Sequence, residues 1–272
     1  MDGISDIRIK ENALTERIKA AGKLAVAFSG GVDSTYLVYK AHEILGDNAV
    51  AITVRSLVLT GEDFDWTVDL CRKTGIRHVI LDVDVLGIEN FADNPPDRCY
   101  YCKKTDFGSI IKAASEFGIT AVADGSNVDD TGDYRPGMRA MKELGIISPL
   151  KEAGLSKSDI RMLSKEAGLP TWDKPAAACL ASRFYYGEKI TQEGLIRVAD
   201  AERYIRDQGF KGIRVRVHGD LARIEVSSAD ITTLASEPVR ERIVSELKRL
   251  GFRYVSLDLI GYRTGSMNEV LR

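Results

Sequence analysis

Leu24-Ala25-Val26-Ala27-Phe28-Ser29-Gly30-Gly31-Val32-Asp33-Ser34 is the stretch that decides the fold. Its five apolar residues read as a short buried strand, and the run from Thr35 to Leu45 reads as a helix, so the serine–glycine segment is the loop of a strand, loop, helix unit. Glycines let backbone N–H groups approach an anion, and the helix N-terminus adds partial positive charge and unpaired donors; such a loop cradles phosphate. Ser29, Gly30, Gly31, Asp33 and Ser34 are therefore expected to hold a nucleotide, with Asp33 orienting the loop amides or binding Mg²⁺. No Gly-Lys-Ser/Thr follows and the glycines are not spaced as GxGxxG, which disfavours both of those nucleotide folds.

Working outward, further short apolar runs at Ala49–Val54, His78–Val83 and Thr120–Ala123 read as buried strands with helical patterns between them. Strand and helix in alternation predict an α/β fold whose parallel sheet is covered on both faces, with ligands at the carboxyl ends of the strands. From about Thr191 the pattern changes to helix, hairpin (Ile213–Val217 and Leu221–Val226 about His218-Gly219-Asp220), helix and a strand near Tyr254–Leu259, an α+β arrangement. The expected domains are 1–186 and 187–272, the second smaller and serving substrate binding and assembly.

The 272 residues carry a formal net charge of −2, 44% apolar and 29% charged residues, which describes a globular enzyme and disfavours a strongly basic nucleic-acid surface. No apolar run is long enough to span a bilayer and the N-terminus lacks the features of a signal peptide, so a cytoplasmic protein without membrane partners is expected. Four cysteines are too few for a disulfide framework, and Cys99-Tyr-Tyr-Cys102 suggests metal or redox work. Cys71 sits at helical spacing among apolar neighbours and reads as core. The three histidines, His42, His78 and His218, lack zinc-site spacing, and His218 reads as a turn residue. Arg214 and Arg216 alternate along a predicted strand, so both lie on one face and can clamp a phosphate; a solvated hairpin face is the plain alternative.

The Ser29–Ser34 loop after a first strand resembles the PP-loop signature of GMP synthetases, NAD synthetases and tRNA thiolation enzymes, which split ATP between the α and β phosphates. Asp124-Gly125-Ser126-Asn127 with Asp129-Asp130 resembles the second nucleotide-side motif of those enzymes, which adds Gly125 to the ATP residues. Ser156-Lys157-Ser158-Asp159-Ile160-Arg161 resembles them too, with Lys157 and Arg161 as phosphate partners, although Ser156 and Asp159 equally form a helix capping box. The fold so implied is a PP-loop ATP pyrophosphatase domain followed by the α+β domain.

A narrower resemblance spans nearly the whole chain. It rests on the loop, on Pro96-Asp97, Tyr100-Tyr101 and Lys103-Lys104, on Asp133-Tyr134-Arg135-Pro136-Gly137, on Ala178-Cys179 leading to Ser182-Arg183-Phe184, on Ile213 to His218, on Ala222 to Glu225 and on Gly251 to Val255. On these the chain resembles the LarE family of ATP-dependent pyridinium-3,5-biscarboxylic acid mononucleotide sulfurtransferases. The resemblance implies adenylation of a substrate carboxylate, release of AMP and pyrophosphate, and replacement of AMP by sulfur. It implies Cys179 as the sulfur-bearing residue, with Arg183 nearby to favour its thiolate, and Ser182, Arg214 and Arg216 as ligands of the substrate phosphate. It suggests an acidic metal site near Glu202 and Glu225, where Thr233 stands in place of a further carboxylate.

Cys99 and Cys102 depart from the form that sacrifices one cysteine. Three cysteines, Cys99, Cys102 and Cys179, can ligate three irons of a 4Fe-4S cluster whose fourth iron carries an exchangeable sulfide; zinc, a redox disulfide and a structural CxxC are the alternatives. Expected cofactors are ATP, Mg²⁺ and the cluster. Expected partners are a small mononucleotide substrate, a sulfide donor and further copies of the chain, without nucleic acid. The competing functions are tRNA thiolation of the TtcA type and amide ligation like that of NAD synthetase.

Overall fold

The computed structural model describes residues 2–131, 136–175, 178–263 and 267, and it divides into two compact units. The first takes 1–84 and 99–177, the second 85–98 and 178–272. This differs from a cut after 186. Residues 178–190 belong with the second unit because Phe184 bridges Val217 in parallel, and Gly187 and Ile190 donate their amides to the carbonyls of Asn94 (2.9 Å) and Ala92 (2.8 Å). Asn94 returns the tie: its side-chain amide donates to the carbonyl of Tyr185 at 2.5 Å.

In the first unit, α1 (Asp2–Ala21), β1 (Leu24–Ala27), α2 (Val32–Leu45), β2 (Ala49–Arg55), α3 (Gly61–Thr74) and β3 (Arg77–Asp82) are followed by α4 (Arg98–Glu116), whose first residue is assigned to the second unit. Then come β4 (Val122–Ala123), α5 (Pro136–Glu143), α6 (Pro149–Glu152) and α7 (Lys157–Glu166). The four strands form a parallel sheet in the order β3-β2-β1-β4, as the alternation predicts. Period two divides its side chains. Leu24, Val26, Ala49 and Ala51 pack with Leu14, Ile18, Leu37 and Ile160 on one face, while Ala25, Val50 and Ile52 pack with Phe107 and Ile110 on the other. Helix α1 went unread in the sequence, yet Ile7, Leu14 and Ile18, spaced to share one helical face, are buried in that core. Cys71 is core as expected, and burial pushes its thiol up to about 12.

The second unit holds α8 (Gln192–Asp207), β5 (Arg214–His218), β6 (Leu221–Glu225), α9 (Ile231–Ala235), α10 (Val239–Arg249) and β7 (Tyr254–Leu257). Its sheet runs β5-β6-β7; the β5–β6 hairpin is antiparallel and β7 joins in parallel. His218 is the last residue of β5, paired with Leu221, so the turn is Gly219-Asp220 alone. Among the described residues no helix is long and apolar enough to cross a membrane.

Candidate active site

The phosphate loop is held from below by main-chain bonds. Phe28 donates its amide to Ile52 (2.8 Å), and the hydroxyl of Thr53 donates to the carbonyl of Phe28 (2.8 Å). With its one proton so used, Thr53 accepts from Nε2 of His78 at 2.8 Å. Above, Gly30 adopts φ +74°, and a Cβ there would stand 2.9 Å from the Asp63 carbonyl oxygen and 3.0 Å from Thr67, so the loop admits only glycine. Gly31 caps α2 without any side-chain bond, which leaves the first amides of that helix for a ligand. The hydroxyl of Ser34 donates to the Gly31 carbonyl (3.3 Å) and lies 3.1 Å from that of Ser29.

The second motif closes on this loop. A Cβ on Gly125 would lie 3.0 Å from the amide nitrogen of Ser34, so glycine is what lets the β4 segment approach α2. Beside it, the hydroxyl of Ser148 donates to Asp124 (2.6 Å) and the amide of Asn127 to Asp130 (2.9 Å). Ser29, Gly30, Gly31, Asp33, Ser34 and Gly125 are thus brought together. Lys157 joins them: its ammonium pairs with Asp33 and its amide donates to Asp129 (2.7 Å). Burial pushes the Asp33 carboxyl above its ordinary value, with the Lys157 ammonium pulling the other way. Oδ1 of Asp33 is buried without a hydrogen-bond partner among the described residues, a donor that fits Mg²⁺. Ser156 and Asp159 do form the capping box. Arg161 spends its guanidinium on the carbonyls of Trp172 and Lys174, both at 2.7 Å, so it acts as a strut.

In the second unit, Cys179 is exposed, in no disulfide, and stands at the start of a short 3₁₀ turn over Leu180–Arg183. Arg183 is buried beneath it. One edge of its guanidinium meets both oxygens of Glu202 at 2.8 Å, and Nη1 donates to the carbonyls of Ala178 (2.9 Å) and Cys179 (3.2 Å) and to the hydroxyl of Ser182 (3.0 Å). Its visible work is to fix the backbone that carries the thiol. Arg216 donates to the Ser182 carbonyl (2.7 Å) and to Glu225 (2.9 Å), and Arg223 reaches the other oxygen of Glu225 at 3.0 Å. Ser182, Arg216, Arg223, Tyr185 and Tyr186 line a small open cavity. Arg214 shares the strand face but lies over the ring of Tyr262 (4.9 Å), and burial, then the charge of Arg183, lowers its pKa. The sequence reading missed Arg223; its place opposite Arg216 in the hairpin register is the signal that finds it. Glu202 and Glu225, read as metal candidates, serve these arginines as counterions.

Cys99 and Cys102 lie one turn apart on α4, in no disulfide, exposed and half-buried respectively; the Cys102 thiol donates to Asp106 at 3.4 Å. Helix α5 packs against them, since a Cβ on Gly137 would lie 3.3 Å from the Cys99 carbonyl oxygen. Asp133, Tyr134 and Arg135 lie outside the described residues. Among the described residues no group of three or more His, Cys, Asp or Glu side chains stands assembled as a metal site.

A parallel sheet, a glycine loop opening α2 and a second glycine motif against it define an ATP-using enzyme of the PP-loop class. In agreement, the family model described as asparagine synthase matches residues 10–109. The chain is 39% identical, over 98% of its length and 97% of the relative's, to the pyridinium-3,5-bisthiocarboxylic acid mononucleotide synthase of Lactiplantibacillus plantarum. It is 43% identical to an uncharacterized protein of Synechocystis, over 90% of this chain and 92% of that one. A tRNA-specific 2-thiouridylase of Rickettsia felis is 28% identical over 56% of this chain and 52% of its own. The chain belongs to the LarE family, that of the pyridinium-3,5-bisthiocarboxylic acid mononucleotide synthases.

Proposed function

We propose that this enzyme uses ATP to adenylate a carboxylate of pyridinium-3,5-biscarboxylic acid mononucleotide, releases pyrophosphate, and converts the acyl-adenylate to a thiocarboxylate with release of AMP, a step of nickel-pincer nucleotide cofactor synthesis. The observation that carries this is that one chain holds a glycine loop at the uncapped start of α2 and, in its second unit, a cavity lined by arginines; we read the first as a cradle for a triphosphate and the second as the seat of a phosphorylated acceptor. The full-length likeness to the Lactiplantibacillus plantarum synthase supports the choice of acceptor. Adenylation is chemically required, because a carboxylate has oxide as its leaving group until AMP replaces it.

In the first half-reaction the carboxylate oxygen attacks the α-phosphorus and the α–β bond breaks. Loop amides and the end of α2 would hold the phosphates, and Asp33 would hold Mg²⁺. In the second, Ser182, Arg216 and Arg223 bind the acceptor's phosphate, with Arg214 behind them on the same strand, and Arg183 keeps the Cys179 backbone in place. Cys99, Cys102 and Cys179 are accessible thiols, unlike Cys71, and so fit thiolate ligation of a 4Fe-4S cluster. Such a cluster, when bound, supplies a sulfide at an iron that has no protein thiolate, which spares the sulfur of Cys179.

The experiment is anaerobic turnover with ATP, the biscarboxylate mononucleotide and sulfide. The expected products are AMP, pyrophosphate and a thiocarboxylate, formed repeatedly, with Cys179 intact by mass spectrometry and iron lost in each single Cys→Ala variant. Formation of ADP overturns the adenylation reading. A single turnover that leaves Cys179 as dehydroalanine overturns the cluster reading and leaves the sacrificial one.

A further inference from the structure

The segment after α7 delivers to the phosphate loop a cation that lies in none of the motifs. The chain turns there through bonds from Trp172 to Leu169 (3.2 Å) and from Lys174 to Thr171 (3.0 Å), and the two bonds from Arg161 pin the carbonyls of Trp172 and Lys174. So held, the Lys174 ammonium donates to the Gly30 carbonyl at 3.0 Å and stands 2.6 Å from Oδ1 of Asp63.

Asp63 does not depend on that lysine. It sits in the first turn of α3, its Oδ2 accepts from the Thr60 hydroxyl at 2.7 Å, and its own amide donates to that same hydroxyl oxygen at 3.2 Å, which caps the helix. An ammonium has three N–H donors. Two are spent on Gly30 and Asp63, and the side chain keeps 25% exposure, so a donor remains for a ligand in the loop. Lys157 stands in the same relation to Asp33. A magnesium-bound triphosphate is still an anion, and two lysines parked on carboxylates at the loop supply the charge that meets it.

We propose that Lys174 is a catalytic residue of the ATP half-reaction, its ammonium contacting the pyrophosphate end of ATP. This rests on the reading of the loop as an ATP site. When the acceptor carboxylate bonds to the α-phosphorus, the electron pair of the broken bond passes to the β-phosphate oxygen, and the Lys174 ammonium, protonated throughout, neutralises the charge that collects there.

The test is binding of ATP, pyrophosphate and AMP to the full chain and to Lys174→Met and Lys174→Arg, with AMP formation measured alongside. Lys174→Met is expected to weaken ATP and pyrophosphate by roughly 10- to 100-fold, the scale of a charge-assisted hydrogen bond, with AMP unchanged; Lys174→Arg restores most of the loss. Equal weakening of AMP assigns Lys174 to loop architecture and overturns the proposal, as does unchanged pyrophosphate affinity. If Lys174→Met does not fold, Lys174→Gln is read by the same pyrophosphate-to-AMP comparison. A wild type that binds neither ATP nor pyrophosphate marks failure of the loop reading itself.

Discussion

In the phosphate loop the groups that face an anion are main-chain amides and the uncapped end of α2, and backbone geometry keeps them in place. In the second unit the cavity is lined instead by guanidiniums, among them Arg183 at 3% and Arg216 at 7% exposure, with Glu202 and Glu225 buried against them. The loop therefore binds its ligand at little cost to stability when a side chain is changed. The arginine cavity ties the ligand recognition proposed for it to folding, because Arg183 and Arg216 each neutralise a carboxylate that water does not reach. A backbone cradle suits a cofactor common to many acceptors, whereas pre-set arginines specify one.

The largest expected effect tests that coupling. Arg183→Ala leaves Glu202 without its two-point partner, since Arg206 is 4.0 Å away, and costs about 3–5 kcal/mol, or on the order of 10 °C in melting temperature. Asp33→Ala should change the melting temperature far less. Equal melting temperatures would erase the contrast between the two regions.

The kinetic form of the comparison is a crossed pair. Asp33→Ala lowers AMP formation by roughly 10²- to 10³-fold and leaves the KM of the phosphorylated acceptor unchanged. Arg216→Ala raises that KM by about 10- to 100-fold and leaves the KM of ATP unchanged. Steady-state kinetics in each substrate reads the pattern, and loss of both KM values in either variant breaks it.

The smallest effect sharpens the loop. Burial raises the pKa of Asp33 and Lys157 holds it down, and the ionised carboxylate is the form that binds metal. ATP cleavage should fall as pH drops through the Asp33 pKa, and Lys157→Met should move that acid limb to higher pH. An acid limb that stays in place shows that another group controls it.

The strands of the first sheet were legible because each is an apolar run closed by polar or glycine residues, and their bounds shift by only a residue or two at most ends. The N-terminal helix was less so: its buried residues Ile7, Leu14 and Ile18 are diluted by charged neighbours such as Arg8, Lys10 and Glu11. At the site, Ser29 to Ser34 and Gly125 carried a motif and came together. Arg223 lies in the Ala222–Glu225 stretch of the resemblance but carried no assigned role, and Lys174 lies outside every motif; the hairpin register sets Arg223 opposite Arg216, and the Arg161 strut holds the segment whose Lys174 reaches Gly30. Residues 85–98 show no helix or strand period, since their ties to Gly187 and Ile190 are main-chain bonds that leave no mark on side-chain choice.

That inserted stretch has a consequence for the order in which the protein is made. All four strands of the first sheet have been translated by Ala123, and α6 and α7, which complete that unit's core, follow. Residues 85–98, translated in the middle of it, wait for partners that emerge only after Ala178. The amides of Gly187 and Ile190, which the Asn94 and Ala92 carbonyls will accept, arrive later still, so the nascent chain carries this strap without those partners throughout the translation of α5 to α7. A recombinant fragment starting at Ala178 would lack that strap altogether.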